Sequence, residues 1–314
     1  MKNELNKNNN ICITTSLGTN SMFYIMNLIK HKIEIHTILV QTNRYRPKRE
    51  KKKLKKKKLR YLIPYISNYL AFKIFNSPTT LKGQIFYIFW KTNLGRELIK
   101  LIKKKRNKNS NIDTDFIDIR QYELDFYSRI DLIKKALKQS NFNSKIILTS
   151  KINGKVIENY LFKNKIDVLF ISGGTIIRPN ILNQILKSTI TIHNSYLPYL
   201  RGWGGGEVWS LIHNQKDALG TTIFYTDKGI DTGDILIQEH LKVSKDDSLE
   251  SLKYKNIILG KDLLIKAINL LNSNCAPRIK QNSRKITTIN RRPSNEEIYL
   301  ANENLNIWKS EISE

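Results

Sequence analysis

The sequence has few cysteines and no long uninterrupted apolar segment. Cys12 and Cys275 are its only cysteines, a usage that gives no sign of a disulfide framework and is typical of a reducing cytoplasm. The apolar stretches around Ile63–Phe75 and Ile85–Trp90 are too short or too often interrupted to span a bilayer. The N-terminal run MKNELNKNNN lacks the apolar region of a signal peptide. We therefore expect a cytoplasmic protein without a membrane span.

Acidic residues are scarce relative to basic ones. The chain has 27 Asp and Glu against 54 Lys and Arg, which gives a formal net charge of +27. Such a charge attracts phosphates, nucleic acid or anionic surfaces. Most of the excess is spread along the chain, so we favour a general enrichment in Lys, Asn and Ile as its cause. The exception is Arg44–Arg60, where Glu50 is the single acid. This basic segment is consistent with RNA as a partner.

Short β-type runs alternate with helical patterns on both sides of the basic middle segment. Two predicted strands, Ile11–Thr15 and Ile33–Val40, flank a predicted helix at Met22–Lys30, as in the start of a βαβ unit. Further strands are predicted at Lys145–Leu148, Ile166–Ser172, Thr189–His193, Leu219–Thr226 and Ile235–Val243, and helices at Gly154–Asn164, Pro179–Leu186, Glu207–His213 and Ser248–Leu271. This alternation predicts an α/β protein with a Rossmann-like, mostly parallel twisted sheet and helices on both faces.

Four parts of the chain differ in pattern. Residues 1–43 hold the first βαβ part, 44–141 a basic helical insertion, 142–271 the main α/β core and 272–314 a C-terminal extension. Within the insertion, Gln84–Lys105 has a broad apolar stripe at helical spacing. The stripe indicates a core or subunit contact, which leaves a homodimer open.

Two polar clusters follow predicted strands. Thr191 and His193 share one face of the strand Thr189–His193, at the end where open α/β sheets bind ligands. The sequence GIDTGD, residues 229–234, forms a tight loop between two later strands. A buried carboxylate beside an imidazole favours the imidazolium, and such a pair can stabilise an oxyanion and transfer a proton. Taken singly, the histidine fits an ordinary loop residue and GIDTGD a surface turn equally well.

The runs IHNSYLPYLRG, from Ile192, and LGTTIFYTDKGIDTGDILIQ, from Leu219, together resemble the formyltransferase family that uses 10-formyltetrahydrofolate. The resemblance covers the chain well from Lys145 to Leu271, weakly over the first two strands and hardly at all between Arg44 and Asn141. It implies an enzyme that transfers a formyl group from 10-formyltetrahydrofolate to a primary amine, with no metal ion and no covalent enzyme intermediate.

The same resemblance implies the catalytic residues. His193 and Asp231 match the family's catalytic histidine and aspartate, while the family's asparagine position is occupied by Thr191. Imidazolium His193 would hold the oxyanion with help from Thr191, and Asp231 would keep His193 charged. A threonine hydroxyl donates one hydrogen bond and reaches less far than a carboxamide. The substitution leaves open a slower enzyme, a compensating group such as Asn194, or a lost activity.

The resemblance also implies which residues bind the two substrates. The folate would contact Gly173, Gly174, Thr175, Ile176, Ile177, Asp227, Gly229 and Ile230. The acceptor would contact Asn194, Ser195, Arg201, Gly202 and Gly204. Glycines at these positions allow close approach of the backbone to a flat ring. The run Gly204–Gly206 opens a predicted helix whose N-terminus would suit a phosphate, or it is simply a flexible loop.

The acceptor differs among the family's members, which include glycinamide ribonucleotide, methionyl-tRNA and nucleotide-amino-sugar formyltransferases. Residues 272–314 are too few for the C-terminal barrel-like domain that a tRNA enzyme of this family carries. We therefore expect a small phosphorylated amine, with a nucleotide-linked amino sugar as the first choice. The alternatives are a tRNA bound through Arg44–Arg60 and a catalytically weakened, nucleic-acid-binding relative.

Overall fold

The computed structural model describes residues 9–42, 119, 121–122, 124–203, 205–282 and 288–312. The chain divides into two units, and every described residue belongs to the one that comprises Met1–Arg44 and Asp115–Glu314. The basic run Arg44–Arg60, the predicted helix Gln84–Lys105 and Gly204 lie outside the described residues.

Seven strands form one mostly parallel sheet. The strands of the described ranges are β1 (Ile11–Thr15), β2 (Thr37–Gln41), β3 (Lys145–Thr149), β4 (Val168–Ser172), β5 (Ser188–His193), β6 (Leu200–Gly202), β7 (Gly220–Tyr225), β8 (Ile235–His240) and β9 (Thr288–Asn290). The sheet order is β3-β2-β1-β4-β5-β7-β8. Strands β1 to β5 are parallel to one another, β7 is antiparallel to β5, and β8 is antiparallel to β7. The short strands β6 and β9 form a separate parallel pair.

Helices cover both faces of this sheet. They are α1 (Thr19–Lys30), α2 (Phe126–Gln139), α3 (Lys155–Asn164), α4 (Pro179–Leu182), α5 (Gly206–Ile212), α6 (Leu249–Asn272) and α7 (Asn295–Ser310). In β1, Ile11 and Ile13 pack into the core with α1, α2 and α6, whereas Cys12 packs on the opposite face with α3 and α4. The predicted α/β class, with a mostly parallel sheet and helices on both faces, is confirmed. No helix within the described ranges is long and apolar enough to cross a membrane.

Several predicted elements are shorter in the structure than in the sequence pattern, and two of them differ by four residues at one end. The second strand begins at Thr37 instead of Ile33, because its partner β1 begins at Ile11 and the register pairs Cys12 with Thr37. Alternation without a neighbouring strand does not produce a strand. Helix α4 ends at Leu182, since the backbone N–H of Leu186 donates to the carbonyl of Ile166 and turns the chain back to the sheet.

Helix α2 lies within the segment 44–141 that the sequence pattern assigns to an insertion. Its side chains Ile130, Ile133 and Leu137 are buried in the same core as α1. Asp125 begins the helix, because its carboxylate accepts hydrogen bonds from two backbone N–H groups of the first turn. This part of the segment therefore packs on the sheet, and Ile119 and Tyr122 are buried in the same core. Residues 44–118, 120 and 123 of the predicted insertion lie outside the described residues.

The C-terminal residues pack on the rest of the unit. Ala301, Leu305 and Trp308 of α7 share a core cluster with residues of α5 and α6. The indole Nε1 of Trp308 donates to the side-chain carbonyl of Asn214 at 2.6 Å. Strand β9, immediately before α7, pairs with β6. The residues after α6 therefore contact α5, α6 and β6, all of which follow β5 in the chain.

Candidate active site

A cavity of about 500 Å³ opens at the carboxyl ends of β4 and β5. Its walls come from the β4–α4 loop, from Thr191 of β5 and from the β7–β8 loop. Open α/β sheets bind ligands at this edge, and the volume lies in the range of small-molecule sites. The cavity is therefore the candidate active site of the described part of the chain.

His193 and Asp231 meet beside this cavity. His193 ends β5 and is 6% exposed, and its Nδ1 lies 3.9 Å from Oδ2 of Asp231. Its Nε2 lies 3.1 Å from the carbonyl oxygen of Leu200. Because a carbonyl only accepts, Nε2 carries a hydrogen. The separation of 3.9 Å suits an ion pair but exceeds hydrogen-bond length. Nδ1 is therefore the ring atom that faces the carboxylate.

Asp231 belongs to the β7–β8 loop and has a left-handed backbone, with φ of 52°. Its Oδ2 accepts a hydrogen bond of 2.8 Å from the backbone N–H of Gly202, at the end of β6. Gly202 itself has φ of 96°, and a Cβ there would lie 2.4 Å from the carbonyl oxygen of Asn290 in β9. Glycine is thus required at the residue that holds the carboxylate of Asp231.

Thr191 lines the cavity, but its hydroxyl is already hydrogen-bonded. The Oγ1 atom donates to the carbonyl oxygen of Ile171 in β4 at 3.0 Å. A hydroxyl has one hydrogen, so Thr191 has none left for a second acceptor while this bond persists. Asn194, one residue beyond β5, is absent from the cavity lining. Its carbonyl oxygen lies against Gly206, where a Cβ would approach it to 1.8 Å.

Most of the residues assigned to the folate lie together. Cavity-lining members of that set are Thr175, Ile176, Ile177, Asp227, Gly229 and Ile230. Gly173 and Gly174 precede the lining and have φ of 72° and 116°. A Cβ at Gly174 would lie 2.5 Å from the side chain of Gln41, whose Oε1 accepts from the backbone N–H of Thr175. The glycines therefore shape the loop that forms this wall.

The residues assigned to the acceptor are less closely grouped. Gly202 lines the cavity, whereas Ser195 is buried and its hydroxyl donates to the carbonyl of Leu200 at 2.8 Å. Arg201 is 9% exposed and one guanidinium nitrogen donates to Oε1 of Gln281 at 2.7 Å. Ser195 and His193 both donate to the carbonyl of Leu200, and Ser195 does not line the cavity.

Several lining residues are not among the catalytic and substrate-binding residues that the resemblance implies. They are Ile171, Arg178, Pro179, Leu182, Phe224, Thr226, Lys228 and Ile289. The hydroxyl of Thr226 is buried and has no hydrogen-bond partner among the described residues. Ile289 comes from β9, far along the chain, where local periodicity gives no indication of the contact. Within the described ranges, no group of three or more His, Cys, Asp or Glu side chains is arranged to hold a metal ion.

One buried carboxyl group lies in α5, next to the glycine that contacts Asn194. Glu207 is 7% exposed, and its Oε2 atom has no hydrogen-bond partner among the described residues. Burial raises the pKa of Glu207 to about 7, although Lys253 and Asn256 act in the opposite direction. Near neutral pH this side chain is therefore close to its titration midpoint.

Comparison by sequence identifies relatives of the central part of the chain. Residues 131–268 match the family described as Formyl transferase. The methionyl-tRNA formyltransferase of Desulforamulus reducens is 34% identical over 120 residues, which are 38% of this chain and 37% of that protein. The methionyl-tRNA formyltransferase of Halothermothrix orenii is 29% identical over 175 residues, 52% of this chain and 55% of that protein. The chain thus covers between about a third and about half the length of these relatives.

Solved structures with similar folds are also found. Glycinamide ribonucleotide transformylase 1 from Symbiobacterium toebii is 12% identical, with a TM-score of 0.48 over 87% of this chain and 93% of that one. The formyltransferase PseJ from Anoxybacillus kamchatkensis, solved with a UDP-linked formamido sugar and tetrahydrofolate, is 24% identical, with a TM-score of 0.39 over 48% and 77%. The sequence match spans residues 131–268, which contain both His193 and Asp231, and this part of the chain is similar to formyltransferases.

Proposed function

We propose that this protein is an enzyme that transfers a formyl group from 10-formyltetrahydrofolate to a primary amine. The observation that carries the proposal is the His193–Asp231 pair at 3.9 Å beside the cavity, within the segment that matches the family. An imidazole and a carboxylate at this distance supply the two functions the reaction needs. One group stabilises a developing oxyanion, and the other accepts a proton.

The residues around the cavity fit a folate. Ile176 and Ile230 line it and are 80% and 49% exposed, so a flat ring bound between them would cover apolar surface that is now in water. Thr226 lines the same space, and its buried hydroxyl lacks a partner among the described residues. A pterin edge carries several donors and acceptors that suit such a hydroxyl. The folate would supply the formyl carbon at this wall.

The geometry assigns the ring atoms of His193 to separate tasks. Nε2 donates to the Leu200 carbonyl and fixes the plane of the imidazole. Nδ1 lies beyond hydrogen-bond distance of Asp231, so a proton on Nδ1 remains available to donate to the formyl oxygen as that oxygen becomes negative. The carboxylate of Asp231 lies 3.9 Å from Nδ1, on the side of the ring that would carry this proton.

Asp231 accepts the proton that the amine loses, directly or through a water. The new bond joins the amine nitrogen to the formyl carbon, and the bond from that carbon to the folate nitrogen breaks. The proton from the amine passes to the folate nitrogen that leaves. Thr191 contributes a cavity wall in this scheme, because its hydroxyl hydrogen is used by Ile171.

For the acceptor, we propose a nucleotide-linked amino sugar. Arg178 and Lys228 line the cavity and suit the phosphates of such a molecule. We place the reaction in the cytoplasm, in keeping with the two unpaired cysteines of the chain. A second candidate is an aminoacyl-tRNA, favoured by the 34% identity to a methionyl-tRNA formyltransferase and by the basic run Arg44–Arg60.

Incubation of the protein with 10-formyltetrahydrofolate and separate amine acceptors tests the proposal through the appearance of tetrahydrofolate. The panel contains UDP- and dTDP-linked amino sugars, methionyl-tRNA and glycinamide ribonucleotide. We expect turnover with an amino sugar. Turnover with methionyl-tRNA alone would support the second candidate. Release of no tetrahydrofolate with any acceptor, together with tight RNA binding, would instead indicate a nucleic-acid-binding relative.

The dependence of binding affinity on salt concentration distinguishes a tRNA acceptor from a nucleotide-sugar acceptor without a rate measurement. A tRNA that makes six or more phosphate contacts should lose about 10³-fold in affinity between roughly 50 and 200 mM salt. A nucleotide sugar has two phosphates, so its affinity should change much less over the same interval. Replacement of the lysines between Lys51 and Lys58 by glutamine should weaken the binding of a phosphorylated acceptor and leave the binding of folate unchanged.

A further inference from the structure

The side chain of Gln281 joins three groups around the β7–β8 loop. Its Nε2 donates to the carbonyl oxygens of Asp231 at 2.9 Å and Gly233 at 2.8 Å. Its Oε1 accepts from the guanidinium of Arg201 at 2.7 Å. Both amide hydrogens are therefore used. The opposite orientation of the amide would place its oxygen against two carbonyl oxygens and its NH₂ against a guanidinium, so these partners fix the assignment.

The loop that Gln281 contacts has an unfavourable backbone at its central residue. Asp231 has φ of 52°, in the left-handed region that residues other than glycine rarely adopt because it is energetically costly for them. The two hydrogen bonds from Gln281 offset such a cost, because they hold the carbonyl of this residue and that of Gly233. The loop backbone at Asp231 therefore depends on a residue from outside the loop.

Gln281 is held in place by the segment that precedes it. Ile279 forms an antiparallel bridge with Ile235, with N–O distances of 2.8 and 3.0 Å in the two directions. The guanidinium of Arg278 lies 3.7 Å from the ring centre of Tyr225, at the end of β7. Both contacts anchor the segment on the two strands that flank the loop. The segment lies beyond residue 268, where the match to the family ends.

A second route from Gln281 leads to the carboxylate itself. Arg201 and Gly202 are adjacent in β6, and the backbone N–H of Gly202 donates to Oδ2 of Asp231. Through Arg201, the amide of Gln281 restrains the strand that supplies this donor. One side chain thus restrains both the backbone that carries the carboxylate and the strand that orients it.

We infer that Gln281 is a positioning residue that holds Asp231 at its distance from His193, through the two loop carbonyls and through Arg201. The consequence for catalysis rests on the proposed formyl transfer. The consequence for the geometry does not, since it concerns contacts of the protein alone. The two are therefore tested by different measurements.

The geometric test uses Gln281→Leu and Gln281→Glu. Leucine has a similar size and removes all three hydrogen bonds, while glutamate keeps an acceptor for Arg201 but has no hydrogens for the carbonyls of Asp231 and Gly233. Lys280→Leu, at the neighbouring exposed position, is the matched control. We expect the NMR signal of the Gly202 amide proton to move, and its hydrogen exchange to accelerate by roughly tenfold, in both Gln281 variants. The control should match the wild type.

The catalytic test measures kcat and KM separately in the same variants. Loss of positioning should lower kcat by about tenfold to a hundredfold while the KM for the folate changes by less than about twofold. An unchanged Gly202 amide in both Gln281 variants would overturn the inference, and so would accelerated exchange spread evenly over β1 to β5. If the wild type transfers no formyl group, the proposed function fails, and the Gly202 amide still decides the role of Gln281.

Discussion

The hydroxyl of Thr191 donates to the carbonyl oxygen of Ile171 across 3.0 Å, and so links β5 to β4 at the edge of the cavity. The family's asparagine at this position has two amide hydrogens, and Thr191 has one hydroxyl hydrogen. Thr191 therefore uses its only hydroxyl hydrogen to link β5 to β4. The second hydrogen of an asparagine amide at this position would be free to donate to a ligand in the cavity. This difference predicts that a valine and an asparagine at position 191 change different properties of the protein.

Replacement of Thr191 by valine keeps the β-branched shape and removes the hydrogen bond to Ile171. We expect the free energy of unfolding to fall by about 1 kcal/mol and kcat for formyl transfer to stay within about threefold of the wild type. Thr191→Asn should raise kcat, because a carboxamide adds donors near the formyl oxygen. Steady-state kinetics and denaturant unfolding measure the two effects.

Thr189→Val serves as the control for the Thr191 variants, since Thr189 lies two residues earlier in β5 and does not line the cavity. It should leave kcat unchanged. A drop of about tenfold or more in kcat for Thr191→Val, without loss of stability, would contradict the expectation. It would mean that the hydroxyl leaves Ile171 and donates to the substrate during the reaction.

Loss of either member of the His193–Asp231 pair should abolish most of the activity. We expect His193→Ala and Asp231→Asn each to lower kcat by about a hundredfold or more, because oxyanion stabilisation and proton transfer both depend on the pair. Tetrahydrofolate release measures the rate, and circular dichroism checks the fold. His31→Ala, at the end of α1, is the control and should be near normal. Near-normal turnover in a pair variant would show that another group performs its task.

The local sequence pattern predicts the strand that contains His193 and the loop that contains Asp231. It does not predict the pairing of β6 with β9, which positions the Gly202 amide against Asp231. The alternation of TITIH and the turn residues of GIDTGD predict a strand and a loop, and the structure places His193 at the end of that strand and Asp231 within that loop. The proximity of His193 and Asp231 is predicted only by the resemblance, because nothing in the local sequence of the strand or of the loop indicates that the two residues meet. The pairing of β9 with β6 joins segments far apart in the chain, so the contacts of Ile289 and Gln281 leave no periodicity to detect.

Gly202 is the residue at which the β6–β9 pairing and the Asp231 carboxylate depend on each other. An alanine there would place its Cβ 2.4 Å from the carbonyl oxygen of Asn290. The backbone φ of 96° is also one that residues other than glycine rarely adopt. We expect Gly202→Ala to lower the free energy of unfolding by roughly 2 kcal/mol or more and to reduce kcat at least about tenfold. Denaturant unfolding and kinetics measure both.

Gly18→Ala is the matched control, because a Cβ at Gly18 meets nothing within 4 Å and its φ is −63°. It should cost less than about 1 kcal/mol as a change at the N-cap of α1. Equal effects of the two substitutions would argue against a special role for the backbone of Gly202. A stable Gly202→Ala variant with full activity would show that β9 moves away without consequence for Asp231.

The buried carboxyl of Glu207 makes stability depend on pH in a definite direction. Its pKa is raised from 4.5 to about 7 in the folded protein, chiefly by burial. Below about pH 4 the side chain is protonated in the folded and unfolded chains alike, so it contributes no pH dependence. As the pH rises toward 7 the unfolded chain releases this proton first, and the free energy of unfolding falls. Above that range both states are ionised, and the loss of stability is constant.

Glu207→Gln should remove this dependence, because glutamine keeps the size of the side chain and does not ionise. Relative to the wild type, the variant should gain stability progressively between about pH 4.5 and pH 7, by roughly 3 kcal/mol in total. The difference between two pH values is the quantity to measure, since any constant cost of the amide in this buried position then cancels. Glu303→Gln on the exposed face of α7 is the control and should show no such slope. A stability difference that stays level from about pH 5 to pH 8 would show that Glu207 ionises in the folded protein as readily as in the unfolded chain.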